Sequence, residues 1–157
     1  MGDKAIQDFY PERAAICFGC GPNNREGFHI RTYWDGEEGV CHFKPEKEHT
    51  AFPGVVYGGL IACLIDCHSI GTAIAHAYNA EDREPGTEPK ITFVTGTLQV
   101  RYVRPAPINA ELTLRARVRE MGDKKAIVTC SLSADGRECA QGEVVAVRAP
   151  WDMKLTR

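Results

Sequence analysis

Residues 54–78 read GVVYGGLIACLIDCHSIGTAIAHAY. This is the most apolar stretch of a 157-residue chain, and it carries one carboxylate, Asp66, behind a pair of glycines, Gly58 and Gly59. Steps of 100° per residue place Leu60, Cys63, Leu64, Cys67, Ile70, Gly71, Ile74 and Ala77 on one half of a helical wheel, the i, i+3, i+4, i+7 stripe of a helix laid on a core. His68, Ser69, Thr72 and His76 fall on the other half, interrupted by Ile61, Ile65 and Ala75. The spacing therefore predicts a helix from Gly58 to Asn79, covered on most sides, with a length of about 30 Å at roughly 1.5 Å per residue.

The sequence on either side reads differently. Residues 1–27 are irregular and hold the turn-rich CFGCG motif at 17–21. Short strand-like runs follow at 28–34 and 39–44, joined by a turn at WDGEEG. The polar segment 80–90 is an exposed connection. Four longer runs come next: ITFVTGTLQVRYV, AELTLRARVRE, AIVTCSLSA and CAQGEVVAVRA. Apolar and polar residues alternate along them, and tight turns at MGDKK and DGRE join them, which is the pattern of an antiparallel sheet with one buried face. The expected fold class is α+β, one long central helix packed on a five- to six-stranded antiparallel sheet. The main domain covers 28–150 and a tail covers 151–157.

Composition excludes several partners. Net charge is −2 and charged residues make up 25%, so no basic surface is offered to nucleic acid. The opening MGDKAIQDFY lacks the charged-then-apolar build of a secretory leader. Asp66, His68, Ser69, Thr72 and His76 break the longest apolar run, so no membrane association is expected. The seven cysteines fit reduced thiols and a cytoplasmic location. Cys17-x-x-Cys20 is not followed by a second pair at finger-like spacing, so no metal and no cofactor are expected.

Several residues stand out chemically. Backbone N–H groups at a helix start lack intrahelical partners and sit at its positive end. Bare Gly58 and Gly59 would let a carbonyl oxygen approach those groups, or they simply allow a tight turn. Asp66 has apolar neighbours, where desolvation raises a carboxyl pKa toward the range useful for a base; the alternative is an acid paired with a neighbour. His68 and His76 suit packing or interface roles better than metal ligation. Cys63 and Cys67 share the apolar stripe and act as small hydrophobes. Arg101 and Arg104 bracket Tyr102 and could bind phosphates or lie on a solvated edge.

Three stretches, CFGCGPNN at 17–24, HTAFPGVVYGGLIACLID at 49–66 and VTGTLQVRYVRPAP at 94–107, resemble the hotdog-fold acyl-CoA thioesterases. They are most similar to the branch of phenylacetate-degradation-type and human mitochondrial thioesterases. The resemblance implies a hotdog fold and hydrolysis of an acyl-CoA thioester by a homodimer or homotetramer, with coenzyme A entering as part of the substrate. It further implies that the Gly58 N–H, with Gly59, polarises the thioester carbonyl, that Asp66 acts as base or nucleophile, and that Thr95 orients water. The site then lies between two subunits, with the glycine end from one and the acid from the other. His49 matches a substrate-contacting position. Tyr57 stands where relatives carry His, and Ala51 where some carry Asn. A phenol donates a hydrogen bond but is no neutral-pH proton carrier, which motivates a second reading: a non-catalytic acyl-CoA or acyl-carrier binding protein on the same scaffold.

Overall fold

A computed structural model describes residues 3–150; the expected tail, 151–157, lies outside them. One α-helix, α1 (Gly58–Ala80), crosses a six-stranded sheet made of β1 (Tyr33–Trp34), β2 (Gly39–Phe43), β3 (Thr92–Tyr102), β4 (Leu112–Met121), β5 (Lys125–Ala134) and β6 (Arg137–Ala149). The strand order is β1-β2-β4-β5-β6-β3, and every pairing is antiparallel. Alternation decides which face is covered. Leu112, Leu114 and Ala116 of β4, Val128 and Leu132 of β5, and Ala140, Val144 and Ala146 of β6 are all buried and pack against α1 from Leu60 to Tyr78. The leucine and valine side chains among them contribute roughly 1.5–3 kcal/mol each on burial. By length and hydropathy α1 could span a bilayer, but here the sheet and the N-terminal segment wrap it.

The structure changes the sequence reading in two places. The run at 28–34 forms a strand only at Tyr33–Trp34. His29 takes a positive φ of 52°, and the backbone before Tyr33 bonds to the N-terminal segment instead of the sheet. The Phe28 N–H donates to the Phe18 carbonyl at 3.0 Å, Ile30 to Gly19 at 3.0 Å, and Ile6 to Thr32 at 2.8 Å. That segment lies along α1 and covers its polar half, so His68, Ser69 and Thr72 are buried while Cys63 and Ile70 of the apolar stripe are only partly so.

A closed polar network makes that burial tolerable. The Gly39 carbonyl can only accept, so His68 Nε2 carries the proton and donates to it at 3.1 Å. His68 Nδ1 then accepts from the Thr32 hydroxyl at 2.9 Å. Gln7 Nε2 donates to that hydroxyl at 3.2 Å and Gln7 Oε1 accepts from the Thr32 N–H at 2.8 Å. The Thr72 hydroxyl donates to the His68 carbonyl at 2.8 Å. Burial holds the imidazole neutral, with its pKa pushed down to about 4.

At the far side of the sheet, β3 is an edge strand. Its residues 94–99 are exposed, including Val94 and Leu98, and Tyr102 and Val103 continue the apolar edge. A long edge of this kind is a template for pairing with another chain.

Candidate active site

Asp66 projects from the middle of α1 toward β3. The Thr95 hydroxyl donates to Asp66 Oδ1 at 2.5 Å. A β-bulge between Thr95 and Thr97 interrupts the β3–β6 register at this point, a device that re-aims a side chain. Burial raises the Asp66 pKa above the ordinary 3.8, and the Thr95 hydrogen bond opposes that shift without cancelling it. The acid therefore keeps free acceptor capacity beside a donor that can turn toward water, as a general base requires.

The pair opens on a cavity of about 340 Å³ between the N-terminal segment, α1 and the start of β3. Tyr10, Ile16, Ile70, Ile74, Phe93 and Val94 give it apolar walls, and Cys17, Cys20 and Cys67 line it next to Asp66. An apolar chamber with one tuned carboxylate at its wall suits a greasy substrate with a single reacting polar centre. The wheel placed Ile70 and Ile74 in the core stripe; it gave no sign that Tyr10, Ile16 or Phe93 would meet them, because the N-terminal segment has no periodicity to read.

The glycine pair lies at the other end of the site elements. Gly58 is the first residue of α1 after the N-cap Tyr57. Neither the Gly58 nor the Gly59 N–H has an acceptor among the described residues. The Gly58 carbonyl accepts from the Tyr102 hydroxyl at 2.7 Å, which ties β3 to the helix tip. The Tyr57 ring folds over Gly59 so closely that a Cβ there would lie 2.4 Å from the phenol oxygen. Asp66 lies eight positions after Gly58, about 12 Å along the helix. One chain cannot bring both to the same carbonyl group.

The remaining candidates are dispersed. His49 is held in its loop: Nδ1 accepts from the Glu46 N–H at 2.9 Å, and the ring stacks on Phe43 at 5.9 Å and meets Phe28 edge-on at 5.4 Å. Arg101 faces away from Asp66 and lines a groove of about 790 Å³ on the outer sheet face with Arg115 and Arg117. Arg104 donates to the Glu138 carbonyl. Within one chain neither arginine joins the Asp66 cavity. His76 packs edge-on against Trp34 at 5.9 Å.

A long central helix wrapped by a six-stranded antiparallel sheet is the architecture of a hotdog-fold protein. Residues 53–141 match the family model described as the thioesterase superfamily, and the chain belongs to that superfamily. It is similar to human acyl-coenzyme A thioesterase 13, at 30% identity over 105 residues, 66% of this chain and 67% of that one. It resembles the crystal structure of a thioesterase superfamily protein from Shewanella loihica at 41% identity and a TM-score of 0.64, covering 78% of this chain and 93% of that one. A hypothetical thioesterase of Streptococcus pneumoniae, solved with coenzyme A, shares the fold at 14% identity and a TM-score of 0.64, covering 77% of this chain and 86% of that one.

Proposed function

We propose that this protein hydrolyses acyl-CoA thioesters as a homo-oligomer, in the cytoplasm, with each active site built from two copies. The observation that carries the reading is the Asp66–Thr95 pair on an apolar cavity, in a chain of the thioesterase superfamily. The acyl chain enters the cavity. Asp66 takes a proton from a water that Thr95 helps to orient, and the hydroxide attacks the thioester carbonyl carbon. The new oxyanion is held by the Gly58 and Gly59 N–H groups of the second copy; their separation of about 12 Å along the helix from the same chain's acid supports a site shared between copies. As the C–S bond breaks, coenzyme A leaves as a thiolate, which needs little acid assistance because thiols ionise near pH 8.5. Asp66 then returns its proton to solvent or to the thiolate. Direct attack by Asp66, giving an anhydride that water cleaves, ends in the same products.

The exposed apolar edge of β3 and the exposed Tyr57 and Phe52 rings near the helix tip support pairing of two copies along this side. The seven free cysteines suit a reducing compartment. The test is release of free thiol from a panel of acyl-CoAs by the wild type and by Asp66→Asn. The reading expects thiol release by the wild type that the variant lacks. Binding of acyl-CoA with no release above the variant would instead establish a carrier or sensor on the same scaffold.

A further inference from the structure

The fold supplies the second cysteine pair that the linear sequence lacks. Cys63 and Cys67 stand one helical turn apart on α1, and the Cys17–Cys20 loop packs against them. The Sγ atoms of Cys17, Cys20 and Cys67 all lie within 4.8 Å of one another. The Cys67 thiol contacts those of Cys17, Cys20 and Cys63. In a tetrahedral thiolate site with metal–sulfur distances near 2.3 Å, sulfurs stand about 3.8 Å apart. These three thiols are therefore within a rotamer adjustment of coordination, and Cys63, against Cys67, is the nearest side chain that could turn to supply a fourth sulfur.

The surrounding backbone fits the same purpose. The backbone N–H groups of Gly19 and Cys20 lie close to the Cys17 sulfur, where they could give the outer hydrogen bonding that holds a metal-bound thiolate. Gly19 is what lets the loop reach the helix: a Cβ there would lie 2.4 Å from Cys67 Sγ and 3.1 Å from Cys63 Sγ. The Tyr10 hydroxyl is buried beside the same sulfurs. Gln7 is near it, but no hydrogen bond of good geometry forms, so the phenol is free to donate to an anionic sulfur. A mere packing role would not need three thiols within 4.8 Å of one another beside a buried phenol that lacks a hydrogen-bond partner.

We propose that Cys17, Cys20 and Cys67, joined by Cys63 on turning its side chain, bind a single thiophilic divalent cation of the Zn²⁺ class, which pins the N-terminal segment to α1 and fixes one wall of the Asp66 cavity. Binding replaces each thiol proton by a metal–sulfur bond, and the protons pass to solvent. The site departs from the expectation of no metal, and it stands apart from the hydrolysis reading because its readouts need no substrate.

The experiment uses the full chain, reduced, titrated with Zn²⁺ against a chromophoric chelator and separately with Co²⁺. The wild type should take up one Zn²⁺ per chain, gain thermal stability from it, and give with Co²⁺ a thiolate charge-transfer band with tetrahedral visible bands. Outer hydrogen bonds alone are worth about 10–100-fold in affinity, so loss of a ligand in Cys17→Ser should cost about 100-fold or more. Cys17 is exposed, which keeps that variant foldable. Cys63→Ser should remove the all-sulfur spectrum, and Cys139→Ser, away from the cluster, should leave binding unchanged. No Co²⁺ band in the wild type, or an undiminished one in Cys17→Ser, overturns the site. So does fully reduced protein, with Cys17 and Cys20 verified as free thiols, that takes up no Zn²⁺.

Discussion

Asp66 and His68 are two residues apart on one helix, yet they are treated in opposite ways. Every polar atom of His68 is matched by the chain itself, through Thr32 and Gly39, and the side chain is fully buried. Asp66 has one side-chain donor, Thr95, and borders a cavity. A buried polar group with all partners in place rigidifies a fold. A carboxylate left with spare lone pairs beside an apolar chamber is available for chemistry. The contrast separates structure from function along a single turn of α1.

The largest expected effect falls on the functional side. Asp66→Asn should lower kcat/KM by about 10²–10⁴-fold, the usual worth of a positioned base, while the melting temperature holds or rises. An active variant, or one that fails only by unfolding, would erase the contrast. The mirror experiment is His68→Ala. It should cost about 2–4 kcal/mol by stranding Thr32 and Gly39 partners in the interior, or roughly 5–15 °C of Tm for a domain of this size, while the folded fraction keeps its turnover per site. Calorimetry beside thiol-release kinetics on the same preparation reads both.

Protonation sharpens the same contrast. The His68 pKa is lower in the folded state, about 4 against 6.5, so the unfolded chain binds the extra proton first. Its contribution is fully present above about pH 6.5 and is lost as pH falls toward 4. A Tm series over that window should decline, and His68→Gln, which can still donate to Gly39, should flatten it. Activity follows a different group: the acid limb of kcat/KM should lie above the ordinary carboxylate value of 3.8, because burial raises Asp66. Thr95→Val removes one hydrogen bond and should cost about 10- to 100-fold in kcat, the effect of the roughly 1.5–3 kcal/mol expected for a bond to a charged group. The smallest effect belongs to Arg101→Ala. With its side chain on the outer sheet face, KM should stay within about twofold, and a large rise would route coenzyme A across that face.

Local pattern explains what was legible beforehand. Alternation in 110–120 and 126–134 yields β4 and β5 nearly to the residue, and the wheel yields α1, because periods of 2 and 3.6 are written in the chain itself. Asp66 was legible as an acid with apolar neighbours. The segment 3–32 was not, since its course along α1 is fixed by distant bonds such as Ile6 to Thr32 that leave no periodic trace. For that reason His68 and Thr72 read as the helix's outer half although they are fully buried, and Cys67 reads as a plain hydrophobe although it meets Cys17 and Cys20. The short β1 has a similar origin: His29 bends the chain before the sheet begins.

The central claim is that the acid of one copy works with the helix tip of another. Gly58→Pro removes one tip N–H at the first helical position, where proline is accepted, and Tyr57 already has the extended ψ of 128° that a following proline requires. Asp66→Asn and Gly58→Pro should each be nearly inactive alone. Unfolded and reassembled together in equal amounts, they should recover about a quarter of wild-type thiol release, since half the dimers are mixed and each mixed dimer has one intact site. Mixed dimers as inactive as either parent would contradict a site shared between copies.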